Sequence, residues 1–279
     1  MVKQDVKVKS YVRKGKLVKQ YQRKQDNGTL VKATIVTAST LGLTAASYIA
    51  LKRRYIGNLD KAAKSIKVKP NVGIILKNNI DDITFTIGGF GGIAANESAL
   101  RQAEGLTIAL KKNTPSNVRK NVQFISLDHN FKLQTIDKND PAYFPKLVKN
   151  VSEPFFSGRN NESIKLAEDI YSWHVKNPTK RISIVGYSAG GNMARDIQYI
   201  LNKRGVKVKV ATIRTSDFKV LSTKNDLNIM GDRDWFEKLR APNSVVIPNV
   251  NSHRLDAYLT DADTRSKVTK PIIKHLFNN

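Results

Sequence analysis

Cysteine is absent from the 279 residues, and histidine occurs only four times. The first absence excludes a disulfide framework, a thiol nucleophile and any thiolate metal site, and it suits a reducing compartment. The second leaves no H-E-x-x-H helix and no histidine cluster, so no metal is expected. No G-x-x-x-x-G-K-[ST] loop is present, and Gly88-Gly89-Phe90-Gly91-Gly92 lacks the spacing of a dinucleotide fingerprint, so no cofactor is expected either. Acidic residues are scarce, 23 against 48 Lys and Arg, for a net charge of +25. Residues 1–70 hold 17 of those bases against Asp5, Asp26 and Asp60, a balance of +14. A field of this sign favours anionic partners, either nucleic acid or an acidic membrane surface.

Hydrophobic residues make up 40% of the chain, enough for a sizeable core. The pattern divides it into three parts. Residues 1–30 contain Val8-Lys9-Ser10-Tyr11-Val12-Arg13, echoed by Val18-Lys19-Gln20-Tyr21-Gln22-Arg23, with Lys14-Gly15-Lys16 between them. This reads as a basic β-hairpin arm. Residues 31–69 form an apolar helix and basic linker. Within them, residues 33–51 (ATIVTASTLGLTAASYIAL) carry no charge and precede Lys52-Arg53-Arg54. The length suits a membrane span. The Thr, Ala and Ser content weakens transfer into lipid and suits a helix packed closely on protein equally well. Cytoplasmic and membrane-associated placements both stay open.

Residues 70–279 change texture. Apolar runs at Val72–Leu76, Ile83–Ile87, Val122–Leu127, Ile182–Val185, Val206–Ile213, Val220–Ser222 and Val245–Val250 read as strands. Helical spacing runs through Ala94–Lys112, Ser163–Val175, Asn192–Lys203 and the shorter Trp235–Leu239. Strands alternating with helices predict a mostly parallel α/β sheet covered on both faces.

One stretch carries chemistry. Arg181-Ile182-Ser183-Ile184-Val185-Gly186-Tyr187-Ser188-Ala189-Gly190-Gly191 places G-x-S-x-G between a strand and a helix. A sharp turn there needs small neighbours and exposes the serine hydroxyl at the carboxyl end of the sheet. The stretch resembles the nucleophile elbow of the α/β-hydrolase superfamily, and the resemblance covers most of residues 70–279. It implies a serine hydrolase with Ser188 as nucleophile. It also implies an oxyanion hole built from the Ala189 N–H and from Gly89 or Phe90 in the glycine-rich turn after Ile83–Ile87.

A general base should follow in the chain. His253, after the last strand, fits, whereas His275 lies in a C-terminal helical segment and His129 and His174 read as structural or surface residues. Asp217, Asp226 and Asp234 qualify as the acid; Asp226 is preferred and Asp234 is the alternative. The stretches around Asp226 and His253 are loosely similar to class 3 lipases, which tilts the substrate toward an ester or lipid. The alternative is a non-catalytic relative that binds nucleic acid or an acidic membrane through its basic N-terminus.

Overall fold

A computed structural model describes residues 12–13, 16–17, 45–70, 74, 80–89, 98–129, 159–215, 226–232, 244–250 and 255–277. The chain divides into two units, Met1–Thr44 and Ala45–Asn279. In the first, β1 (Val12–Arg13) pairs antiparallel with β2 (Lys16–Leu17), with Val12 opposite Leu17.

The second unit opens with α1 (Ala45–Ser65). It continues through β3 (Asp82–Ile87), α2 (Ala99–Asn113), α3 (Ser116–Arg119), β4 (Val122–Leu127) and α4 (Arg159–Lys176). Then follow β5 (Arg181–Tyr187), α5 (Ala189–Lys203), β6 (Val208–Ile213), β7 (Leu227–Gly231) and β8 (Ser244–Ile247). The helices α6 (Asp256–Leu259) and α7 (Ala262–Phe277) close the described residues. The strands form one sheet in the order β4-β3-β5-β6-β7-β8, and every pairing described in it is parallel.

Alternation along the strands divides the core in two. Ile83, Phe85, Ile87, Ile182, Ile184 and Val210 meet α1, α4 and α5 on one face. Val185, Tyr187, Ala211, Ile213 and Ile229 meet α2, α6 and α7 on the other. Strands buried on both sides need apolar residues in both phases, which explains the near-continuous hydrophobic runs in the sequence. At the amino end of the sheet, Asp82 pairs in register with Arg181. The Arg181 Nε and Nη2 each reach a different oxygen of Asp82 at 2.6 Å.

Three features bear on the sequence reading. Of residues 33–51, those before Ala45 lie outside the described residues, and the helix that begins there runs on to Ser65 through Lys52, Arg53 and Arg54. Among the described residues no helix is long and apolar enough to cross a membrane. The second unit begins at Ala45, ahead of the change of texture at residue 70, and so includes α1. Tyr55, Leu59, Ala62 and Ala63 on one face of α1, with Ile66 just beyond its end, are buried together with Leu166, Ile170, Met193 and Ile197, so this helix belongs to the core of the sheet. Polar contacts reinforce the seam. Tyr55 Oη donates to Asp196 Oδ1, Ser163 Oγ donates to Oδ2 of the same buried carboxylate at 3.0 Å, and Tyr199 Oη donates to Asp60 at 2.9 Å. Third, β7 was not anticipated. The strand expected at Val220–Ser222 and the helix expected at Trp235–Leu239 lie outside the described residues, as does Val72–Leu76 apart from Ile74, which is in no strand.

The helix seam sets an expected outcome. A chain trimmed to begin at residue 45 should keep the full-length unfolding transition of the second unit. One trimmed to begin at residue 70 should unfold at markedly lower temperature, because Tyr55, Leu59 and Ile66 each contribute about 2 kcal/mol of burial. Thermal circular dichroism on the two chains checks this.

Acid sensitivity follows from two partly buried imidazoles. His275 donates from Nε2 to the Val210 carbonyl at 3.0 Å. Burial pushes its pKa below the ordinary 6.5, against the raising effect of that bond. Burial lowers the pKa of His174 in the same way. Both take up a proton more readily when unfolded. Their contribution is therefore intact above pH about 6.5 and is lost as pH falls below it toward the depressed folded values. The urea midpoint should drop between pH 7.5 and 5.5, and should drop less in His275→Gln.

Candidate active site

β5 reaches the carboxyl edge of the sheet at Tyr187, and α5 starts at Ala189, so the whole reversal falls on Ser188. Its backbone sits at φ 53° and ψ −119°. A non-glycine residue in that region costs roughly 1–3 kcal/mol and persists only where its surroundings dictate it. Here they do. Ser188 N donates to Ile213 O at 2.9 Å, while Ser188 O accepts from Gly191 N at 3.0 Å and from Thr215 Oγ1 at 3.3 Å.

The glycines of the motif are required by packing. A Cβ on Gly186 would meet Gly190 O at 2.3 Å, and one on Gly190 would meet the carbonyl oxygens of Gly88 and Ile87 at 2.2 and 2.5 Å. The elbow therefore lies directly against the end of β3. Ser188 is partly exposed, and its side chain makes no capping bond to α5. Ala189 opens the helix, so its N–H has no carbonyl one turn earlier in α5 and stands at the positive end of the helix dipole.

The pairing of Ile87 with Gly186 carries Gly88 and Gly89 alongside Tyr187 and Ser188. A Cβ on Gly89 would lie 3.1 Å from Ser188 Cβ. Gly89 therefore lies beside Ser188, but its N–H, one proposed donor, is taken. Gly89 N donates to Gln102 Oε1 of α2 at 2.8 Å, so Gly89 is not available for an oxyanion in this conformation. Phe90 lies outside the described residues. His129, read from sequence as structural or surface, is buried just beyond β4 and places Nε2 3.0 Å from Gly88 O.

Asp226 requires the main correction. It precedes β7, and the neighbouring Leu227 pairs with Ala211, which in turn pairs with Val185. Asp226 therefore sits four residues behind the level of Ser188, about 13 Å along the sheet at the usual strand rise. It is buried there and accepts from Gln198 Nε2, in the third turn of α5, at 3.0 Å. The structure does not bring Asp226 and Ser188 together.

At the opposite end of the same strand stands a residue that the sequence reading overlooked. Asp232 follows Gly231 at the carboxyl edge, its N–H donates to Ile247 O at 3.0 Å, and its Oδ1 is buried without a hydrogen-bond partner among the described residues. The signal that could have found it is Leu227-Asn228-Ile229-Met230-Gly231, a short strand ending on Gly-Asp. His253, Asp217 and Asp234 lie outside the described residues. Among the described residues no three His, Asp or Glu side chains converge as metal ligands.

A parallel sheet in this order, helices on both faces and a strained serine turn after β5 define an α/β-hydrolase-like fold. No family model and no curated protein matches the chain. Among solved structures it is similar to XC6422 from Xanthomonas campestris, described as an a/b serine hydrolase without lid. The identity is 14% over 76% of this chain and 87% of that one, with a TM-score of 0.43. It is also similar to Trichoderma reesei cutinase in complex with a phosphonate inhibitor, at 15% identity over 87% and 98% of the chains and a TM-score of 0.35. ESTFA, in its Fe-lacking apo form, gives 14% identity over 87% and 96%, with a TM-score of 0.40.

The backbone contacts at the elbow make a direct expectation. Gly190→Ala should cost about 3 kcal/mol or more, at the severe end for a single substitution. Gly105→Ala, in α2, where a Cβ would meet nothing within 4 Å, should gain about 0.5–1 kcal/mol. Urea titration of the two variants checks the contrast.

Proposed function

We propose that the chain is a serine hydrolase that cleaves a carboxylic ester through an acyl-enzyme. The observation that carries this reading is the strained Ser188, held at a helix N-terminus with a glycine turn packed on its side chain. In the proposed reaction Ser188 Oγ attacks the carbonyl carbon while His253 takes the hydroxyl proton. The tetrahedral oxyanion is held by the N–H of Ala189 and, since Gly89 is engaged elsewhere, by that of Phe90. Collapse breaks the bond to the alcohol, which leaves with the proton from His253. Water then attacks the acyl-enzyme with His253 again as base, and Ser188 recovers its proton.

Asp232 is proposed as the acid that orients His253. It stands at the carboxyl end of β7, beside the end of β8, and His253 follows that strand by six residues. A carboxylate oxygen that is buried and unpaired among the described residues is an acceptor that an imidazole N–H would satisfy. Asp234 is the neighbouring alternative. An ester or lipid substrate, with the class 3 lipase likeness of the late region, is the finer part of the same proposal.

A fluorophosphonate probe and a p-nitrophenyl ester series test the reading. Wild type should label and Ser188→Ala should not. Asp232→Asn should lower kcat by about 10³–10⁴, the cost of a wrong histidine tautomer. Asp226→Asn should leave the activity of the folded protein within about threefold, because Asp226 lies at the wrong end of the strand. A wild type that neither labels nor turns over would favour the second reading, a hydrolase-like platform for the basic arm. Loss of activity in Asp226→Asn alone would restore the original assignment of the acid.

A further inference from the structure

The Gly88 carbonyl and the Gly89 N–H belong to one peptide unit, and a buried side chain holds each end of it. Gln102 reaches from α2 and accepts from Gly89 N at 2.8 Å. His129 reaches from the end of β4 to Gly88 O at 3.0 Å. Both side chains belong to residues only 5% exposed. The polarity of each bond is fixed by chemistry. A backbone N–H can only donate, so the Gln102 atom is the amide oxygen; a carbonyl can only accept, so His129 carries its proton on Nε2.

This peptide has an unusual need for such support. With glycine on both sides, no Cβ opposes rotation of the plane about its flanking bonds, and this is the softest linkage a chain can offer. Here it lies beside the nucleophile, where a Cβ on Gly89 would come 3.1 Å from Ser188 Cβ. Rotation by half a turn would exchange the N–H and the C=O. It would turn the Gly88 carbonyl toward Gln102 Oε1, oxygen against oxygen, and re-aim the N–H that follows. An oxyanion hole works only if its donors are already in place.

We infer that Gln102 and His129 are positioning residues that lock the Gly88–Gly89 peptide in one orientation, and so fix the second half of the oxyanion hole. The inference rests on Ser188 being the nucleophile. Neither residue touches the reacting atoms; each acts through the peptide it holds. The two should behave as a unit, because once one bond is lost the peptide is free to turn and the second bond holds little.

The test compares Gln102→Met, His129→Leu and the double variant with His129→Gln, which retains an N–H donor. Fluorophosphonate labelling and p-nitrophenyl butyrate hydrolysis are measured on protein shown to be folded by circular dichroism. Removing an oxyanion donor outright costs about 10²–10³ in kcat, and a misaligned one should cost less, about 10- to 50-fold, with KM within about twofold. The double variant should be scarcely slower than either single one, and His129→Gln should recover most of the rate. Single variants as fast as wild type, or losses that multiply in the double variant, would overturn the inference while leaving Ser188 as nucleophile. A wild type that does not label at Ser188 overturns both. Should the variants fail to fold, hydrogen exchange in wild type decides: a protected Gly89 amide supports the lock, and exchange at the rate of an open amide overturns it.

Discussion

The backbone of Gly190 lies flush on the carbonyls of Ile87 and Gly88, and the geometry of the site follows from that contact. No side chain fits between the two chains, so the turn after β5 must close over a single residue, and Ser188 must take a positive φ to do it. The same contact sets where α5 begins, and hence where its first N–H points. It also brings the glycine turn after β3 to the side of the serine. The strain at Ser188 is sustained because its backbone donates to Ile213 and accepts from Gly191 N–H and the Thr215 hydroxyl, which leaves the chain no relaxed alternative.

Two buried carboxylates tie helices to their neighbours. Asp196 accepts from Tyr55 and Ser163 and binds α1 to the helix layer. Asp226 accepts from Gln198 and ties α5 to the start of β7. Both are satisfied by donors on neighbouring elements, behind the carboxyl edge of the sheet. Asp232 differs in position and in pairing, since it stands at that edge with one buried oxygen unpaired among the described residues. Position along the strand distinguishes a structural acid from a candidate catalytic one.

Much of the fold could be read from the residues, and the gaps have physical causes. The strand around Ile182–Val185 announced itself because both of its faces are buried, and Val122–Leu127, at the sheet's edge with only Val122 and Phe124 buried, showed through its apolar residues alone. β7 escaped because Asn228 interrupts its apolar run. That side chain is buried yet satisfied, accepting from Thr212 Oγ1 at 2.7 Å and donating to Ser244 Oγ at 3.2 Å, and pairing of this kind is invisible in one dimension. With the strand went Asp232 at its carboxyl end, while Asp226, the acid preferred from the sequence, precedes its amino end. The extent of α1 escaped for the opposite reason. Its uncharged run drew attention to residues 33–51, while the buried stripe from Tyr55 to Ile66 is diluted by lysines. Gln102 and His129 belong to no motif; only the fold shows that they hold opposite ends of one peptide.

The ion pair between Arg181 and Asp82 has a consequence far from its own location. It marks the alignment of β3 with β5 at one end of the sheet, and the serine turn and the glycine turn face each other at the other, about 20 Å away by strand rise. Parallel strands cannot slide past one another by small amounts. A shift of one residue exchanges the two faces of the sheet, so the next tolerable alignment is two residues away, about 7 Å. The distance between Ser188 and Gly89 is therefore quantised. Damage to the alignment divides the molecules into those that bring Ser188 beside Gly89 and those that do not, with no graded states between them.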